Sequence, residues 1–312
     1  MTNCQTFDTT PKMQTLEGYA LMEPVGGLGE AFVAGALTKS YKQKFNKKVL
    51  FITSSPAKFD LLKTFKDIDE VLLLNMQTAN EMVKQLITQN EVIDINIYKE
   101  DGYIASDMVD RTKHCLGLNN EIELEKPFIP EETNTKAKLT FEMMGLKEGK
   151  TVLISPYANS CNFNLVDESL WIELANAIEA RGYDVVFNTN DNLFKDFHKI
   201  YLPITQMVHF SKLCSNVISF RSGLVDLLAG TIEPKIAVIY PASNQLFSSA
   251  FSNNDLAAIT KRFYKYNDSK SLIENFLDME LINVLSDCKN IKQILFDANR
   301  GTFIEKCLEI LN

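Results

Sequence analysis

The chain has 312 residues, 46% of them hydrophobic and 23% charged, with a formal net charge of −8. This balance excludes a disordered or fibrous chain, and the length accommodates two domains, each with its own core. The acidic excess excludes nucleic acid as the main partner, because no basic surplus exists to displace counterions from phosphates.

Residues 1–16 read as a polar leader, with neither the basic start nor the apolar run of a signal peptide. No apolar stretch reaches membrane-spanning length. The expectation is a cytoplasmic protein without a transmembrane segment, whose membrane involvement is at most a transient surface contact. Six scattered cysteines (Cys4, Cys115, Cys161, Cys214, Cys288, Cys307) form no C-x-x-C pair, so they read as reduced packing thiols rather than zinc ligands or a disulfide framework.

A strand is predicted over Gly18–Glu23, followed by the glycine-rich turn Pro24-Val25-Gly26-Gly27-Leu28-Gly29 and a helix from Glu30 to Phe45. Lys39, Lys42 and Lys44 fall near the end of that helix, where cations suit its dipole. Strands are expected at Lys48–Ile52, Glu70–Leu74 and Val92–Tyr98. Helices are expected at Ala57–Phe65, Ala79–Gln89 and Tyr103–Leu116. Residues 121–150 read as a charged, proline-bearing connection, and the domain boundary is placed within it, giving domains 1–148 and 149–312. The alternation then restarts, with strands at Thr151–Ser155, Asp184–Asn188, Val217–Phe220 and Lys235–Tyr240. Helices are expected from Asp167 to Arg181, over Gln206–Cys214 and over Phe303–Leu311. The last is a candidate to cross back to the first domain. Repeated β-then-α order means doubly wound parallel sheets, here two of them facing each other across a cleft.

Two turns carry candidate chemistry. In Arg221-Ser222-Gly223, Ser222 and Gly223 open a helix whose first N–H groups can receive an anion, and Arg221 can add a bidentate phosphate contact. The alternative is a packing turn of the kind common between strand and helix. In the glycine-rich turn, Gly26, Gly27 and Gly29 let backbone approach a ligand closely. It is not a dinucleotide fingerprint: the third glycine of G-x-G-x-x-G would fall on Phe32, and the second strand ends Ile52-Thr53-Ser54-Ser55 without an acidic ribose ligand. Glu30 beside it is either a functional carboxylate or a residue that satisfies the helix N-terminus. None of the three histidines (His114, His198, His209) pairs with an acid at ligand spacing, and no D-x-D sits at a strand end, so no metal ligand is assigned.

Gly-Gly-Leu-Gly-acid after a first strand resembles the opening of the heptosyltransferase-like glycosyltransferases, family 9 of the two-Rossmann-domain (GT-B) type. The likeness extends through Asp69-Glu70-Val71, Val92–Asn96, Leu153-Ile154-Ser155-Pro156-Tyr157-Ala158, Trp171 with Leu174, and Ser222-Gly223-Leu224. Glu30 stands where that family has aspartate, Arg221 where it has aspartate, and Asp226 where it has histidine. The lysine that family carries after its fifth strand is missing from Ser160–Asn164.

The resemblance implies a metal-independent, inverting transferase in cell-surface polysaccharide assembly, with no cofactor. It would move a sugar from a nucleotide-diphosphate donor to a glycan or lipopolysaccharide-type acceptor. Glu30 would be the base, and Arg221, Ser222 and Gly223 would hold the leaving diphosphate. The nucleoside would rest against the loop after Pro156 and the turn after Asn188. Asp94 and Asn96, polar residues alternating along a buried run, are either acceptor contacts or a hydrogen-bonded structural pair. A non-catalytic protein of the same architecture that binds nucleotide sugar or glycan remains the alternative.

Overall fold

The computed structural model describes residues 19–24, 27–75, 77, 78, 81, 92–95, 108–118, 122, 124–158, 168–220, 222–229, 231, 232, 235–241, 291–296 and 300–312. The expected helix over Ala79–Gln89 and the residues after Ile95 in the fourth strand fall largely outside these. The chain divides into two compact units, Met1–Phe128 and Ile129–Asn312.

In the first unit, β1 (Tyr19–Pro24), β2 (Lys48–Thr53), β3 (Glu70–Leu73) and β4 (Val92–Ile95) form one sheet in the order β3-β2-β1-β4. All three pairings are parallel. Helix α1 (Leu28–Phe45) starts at Gly27, which is extended, and stops at Asn46, whose left-handed backbone (φ 51°) donates its N–H back to the Lys42 carbonyl at 2.8 Å. Ala31 to Leu37 are buried around its whole circumference, the mark of a helix enclosed by its unit. Helices α2 (Pro56–Leu62) and α3 (Met108–Cys115) complete the described part.

Gly35 lets α1 lie close to Phe65. A Cβ there would sit 2.5 Å from Cδ2 and Cε2 of that ring, which is buried and already edge-on to Phe32 at 5.7 Å. Gly35→Ala should gain about 1 kcal/mol of helix propensity but lose about 1–3 kcal/mol to overpacking. The expected outcome in urea unfolding is a net loss of up to about 2 kcal/mol. Stability above the parent's would show that the ring moves aside freely.

The second unit holds β5 (Thr151–Ser155), β6 (Asp184–Asn188), β7 (His198–Ile200), β8 (Asn216–Phe220), β9 (Lys235–Pro241) and β10 (Ile291–Phe296). They form a single parallel sheet in the order β10-β9-β8-β5-β6-β7. Every residue of β5 and β8 is buried, as a strand covered on both faces requires. Helices α5 (Glu168–Glu179), α6 (Ile204–Leu213) and α7 (Gly223–Ala229) belong to this unit.

The connection over 121–150 contains a helix, α4 (Glu132–Met143), with Ala137 and Phe141 buried and Phe141 edge-on to Phe210 of α6 at 5.1 Å. The division between units falls at Phe128/Ile129, within that connection and ahead of the Glu148/Gly149 junction. The last helix is α8 (Arg300–Leu308). Phe303, Cys307, Leu308 and Ile310 enter the second unit's core, and the Arg181 guanidinium donates to the Leu308 carbonyl at 3.0 Å. The Asn216 amide likewise donates to the Ile310 carbonyl at 2.7 Å.

Candidate functional site

Open parallel sheets bind ligands outside the carboxyl ends of their strands, where the strand order reverses. In the first unit the order reverses between β1 and β4, so the glycine-rich turn after Pro24 and the end of β4 border that position. Asp94 is paired in register with Glu23, one residue before the turn begins its departure from the sheet. Gly26 and Asn96 lie outside the described residues.

Glu30 is the third residue of α1, and only 6% of its surface is exposed. Its Oε2 accepts the Gly27 N–H at 2.8 Å, reaching back one turn to a donor that the helix cannot satisfy itself. The capping reading of Glu30 is therefore met geometrically. The bond also fixes the rotamer, so the group is held at the turn and does not sweep through solvent. Gly29, the last glycine of the turn, is buried.

The second sheet, counted from β5 outward, runs in the 3-2-1-4-5-6 order of dinucleotide-binding folds, and it reverses between β5 and β8. Pro156, buried at the end of β5, and Ser222-Gly223, at the end of β8, are the residues that flank this reversal. The first internal bonds of α7 run from the Val225 and Asp226 N–H groups to the Ser222 carbonyl. The amides of Gly223 and Leu224 thus precede the helix's own ladder and suit an anion acceptor. Asp226 is buried. Arg221 lies outside the described residues.

Asn188 ends β6 and donates through Nδ2 to Ser155 Oγ at 3.2 Å, tying the carboxyl ends of β6 and β5 together. Beyond it the sequence reading missed a pairing. The Tyr157 hydroxyl donates to Asp191 Oδ2 at 2.9 Å, across from the loop after β5 to the loop after β6. Asp191 is itself fixed at several points. Its Oδ1 accepts the Leu193 N–H at 3.0 Å, its own N–H donates to Thr189 Oγ1 at 3.0 Å, and its carbonyl accepts Lys199 Nζ at 2.9 Å. Burial, and then the hydrogen bond to Asp191, push the Tyr157 hydroxyl well above its ordinary range. The Leu193 N–H, followed by the Tyr157 hydroxyl, holds the Asp191 carboxyl below its own. At neutral pH the pair is therefore a neutral O–H donating to a carboxylate. The Tyr157 ring lies edge-on to Phe194 at 6.3 Å and keeps 40% of its surface exposed.

The histidines are structural or peripheral: His209 is buried with Nε2 3.0 Å from the Pro130 carbonyl, while His114 and His198 are exposed. Cys214 and Cys307 are buried, and burial pushes both thiols far above their ordinary range. Among the described residues no group of His, Cys, Asp and Glu is placed to hold a metal ion, and no helix is long and apolar enough to cross a membrane.

Solved structures share this arrangement of strands and helices. The Escherichia coli ADP-heptose lipopolysaccharide heptosyltransferase II matches with a TM-score of 0.60 over 94% of this chain and 98% of that one, at 12% identity. The fold is shared with the heptosyltransferases. A glycosyl transferase of family 9 from Veillonella parvula DSM 2008 matches with a TM-score of 0.54 over 86% of this chain and 97% of its own, at 11% identity. The dodecameric iron-containing heptosyltransferase TibC, in complex with ADP-D-beta-D-heptose, matches with a TM-score of 0.50 over 74% of this chain and 61% of that one, at 15% identity. No family model and no curated protein matches the sequence. This heptosyltransferase-like fold, with its two parallel α/β sheets, is the fold class that the motif order predicts.

Proposed function

We propose that this protein transfers a sugar from a nucleotide-diphosphate donor to a hydroxyl of a glycan or lipopolysaccharide-type acceptor in cell-surface polysaccharide assembly. The observation that carries the reading is positional. In each sheet, the turn singled out by its residue chemistry flanks the point where strand order reverses: Gly27-Leu28-Gly29-Glu30 in one, Pro156 and Ser222-Gly223 in the other. The fold likeness to heptosyltransferases supports the same reading.

In this reaction Glu30 accepts the proton as the acceptor O–H bond breaks, and the acceptor oxygen attacks the anomeric carbon with inversion. The bond from that carbon to the diphosphate oxygen breaks, and its electron pair leaves with the diphosphate. The Gly223 and Leu224 amides and the Arg221 guanidinium stabilise that developing charge, which is also the charge a metal ion would otherwise offset. The nucleoside rests on the Pro156 loop and the turn after Asn188, and Asp94 and Asn96 contact the acceptor. The step is metal-independent and needs no further cofactor. TibC is an iron-containing neighbour, which makes chelator treatment a useful control on this point.

Arg221→Ala tests the donor site. Charge-assisted hydrogen bonds contribute about 1.5–3 kcal/mol each, so nucleoside-diphosphate affinity measured by calorimetry should fall by ~10–100-fold. Equal affinity in variant and parent would reduce the turn to a packing element. The capped, buried carboxylate of Glu30 favours one second reading, a non-catalytic protein that binds nucleotide sugar or glycan. Only the enzyme releases nucleoside diphosphate in step with acceptor.

A further inference from the structure

We infer that Tyr157 and Asp191 form a latch that sets the nucleotide-binding surface of the second unit, with Tyr157 as a positioning residue rather than a catalytic one. The inference rests on the donor-site reading given above. The two residues are 34 positions apart in sequence, on the loops leaving β5 and β6, and these strands are neighbours in the sheet. Their hydroxyl–carboxylate bond is a side-chain bridge between the two loops beyond the strand ends. The Asn188–Ser155 bond joins the same strands at their last residues.

The anchoring on the β6 side is rigid. Thr189, Leu193 and Lys199 each hold a different atom of Asp191, so the carboxylate presents a fixed acceptor to the hydroxyl. On the β5 side, Tyr157 follows the buried Pro156, whose ring restricts the backbone, and the Tyr157 ring is backed by Phe194. Phe194 in turn stacks on Phe187 of β6 at 4.1 Å between ring centroids. The part-exposed Tyr157 ring is thus held at one orientation just beyond the end of β5, one of the two strands that border the reversal. A flat aromatic surface fixed before binding spares a nucleoside the entropy of ordering it.

The test uses the full chain with ADP, GDP, UDP and CDP as probes, read by calorimetry, and hydrogen exchange at the Asp191 and Leu193 amides. Tyr157→Phe keeps the ring and removes the bond. It should accelerate exchange at both amides and weaken whichever diphosphate the parent binds by ~5–10-fold. In an Asp191→Ala background, the same Tyr157→Phe change should cost nothing further, because the hydroxyl has lost its acceptor. A fresh ~5–10-fold loss in that background would mean the hydroxyl acts elsewhere and would overturn the latch. A parent that binds a diphosphate and a Tyr157→Phe variant that binds it equally well would overturn the positioning role alone. A parent that binds none of the four would overturn the donor-site reading and the positioning role together. Tyr157 is part-exposed, so the Phe variant is expected to fold with a parent-like thermal midpoint.

Discussion

Replacing Glu30 by glutamine is expected to cut sugar transfer by ~10²-fold or more while leaving nucleotide-sugar binding close to that of the parent. The substitution separates the cap that the structure shows on this side chain from the base role proposed for it. Glutamine keeps an oxygen that can accept the Gly27 N–H, so the cap on α1 survives in neutral form, with a stability loss of less than about 1 kcal/mol. What it removes is the capacity to take a proton. Glu30→Ala, by contrast, should lose both the base and the cap, with about 0.5–2 kcal/mol of destabilisation added. A glutamine variant that transfers sugar at the parent rate would place the base elsewhere. Asp94, in register beside the same turn, would then be the next residue to replace.

Trp171→Ala is expected to destabilise the second unit by about 3–5 kcal/mol, a large part of the 5–15 kcal/mol that a domain typically has. Trp171 is fully buried on α5, edge-on to Phe220 at 5.2 Å and to Phe303 at 6.1 Å. It therefore joins three elements: its own helix, the last residue of β8, and the C-terminal helix. Phe220 immediately precedes the Arg221-Ser222-Gly223 turn in sequence, so the cavity would loosen the residue that leads into the proposed phosphate site. Urea unfolding should show the loss. Nucleoside-diphosphate affinity should fall as well, even where the variant is still folded. Trp171→Phe, which keeps an aromatic ring in place, should cost markedly less. A parent-like midpoint for the alanine variant would mean that the surrounding core collapses without penalty.

The buried strands were readable because a strand covered on both faces is built around a short continuous apolar run, here Val152-Leu153-Ile154 in β5 and Val217-Ile218 in β8. Helix α4 was not readable for the opposite reason. Its buried contribution is two residues, Ala137 and Phe141, while Leu139 and Met143 on the same helix are exposed, so the apolar stripe is too sparse to register. Strand β7 has three residues and starts with the exposed His198, which leaves almost no pattern. The site divides along the same line. The glycine turn and Ser222-Gly223 announce themselves through residue type. The Tyr157–Asp191 pair joins two loops that only the pairing of β5 with β6 brings together, and nothing local in either loop signals it. For Glu30 the sequence offered both roles, and the bond to Gly27 establishes one without removing the other.

The most direct test of the proposed transfer is release of free nucleoside diphosphate from a panel of nucleotide-diphosphate sugars, with and without lipopolysaccharide-type oligosaccharide acceptors, for the parent and Glu30→Gln in parallel. Acceptor-dependent release from at least one donor, lowered ~10²-fold or more in the glutamine variant, is the predicted result. A parent that binds a nucleotide sugar yet releases no diphosphate with any acceptor would contradict the account and leave a binding protein in its place.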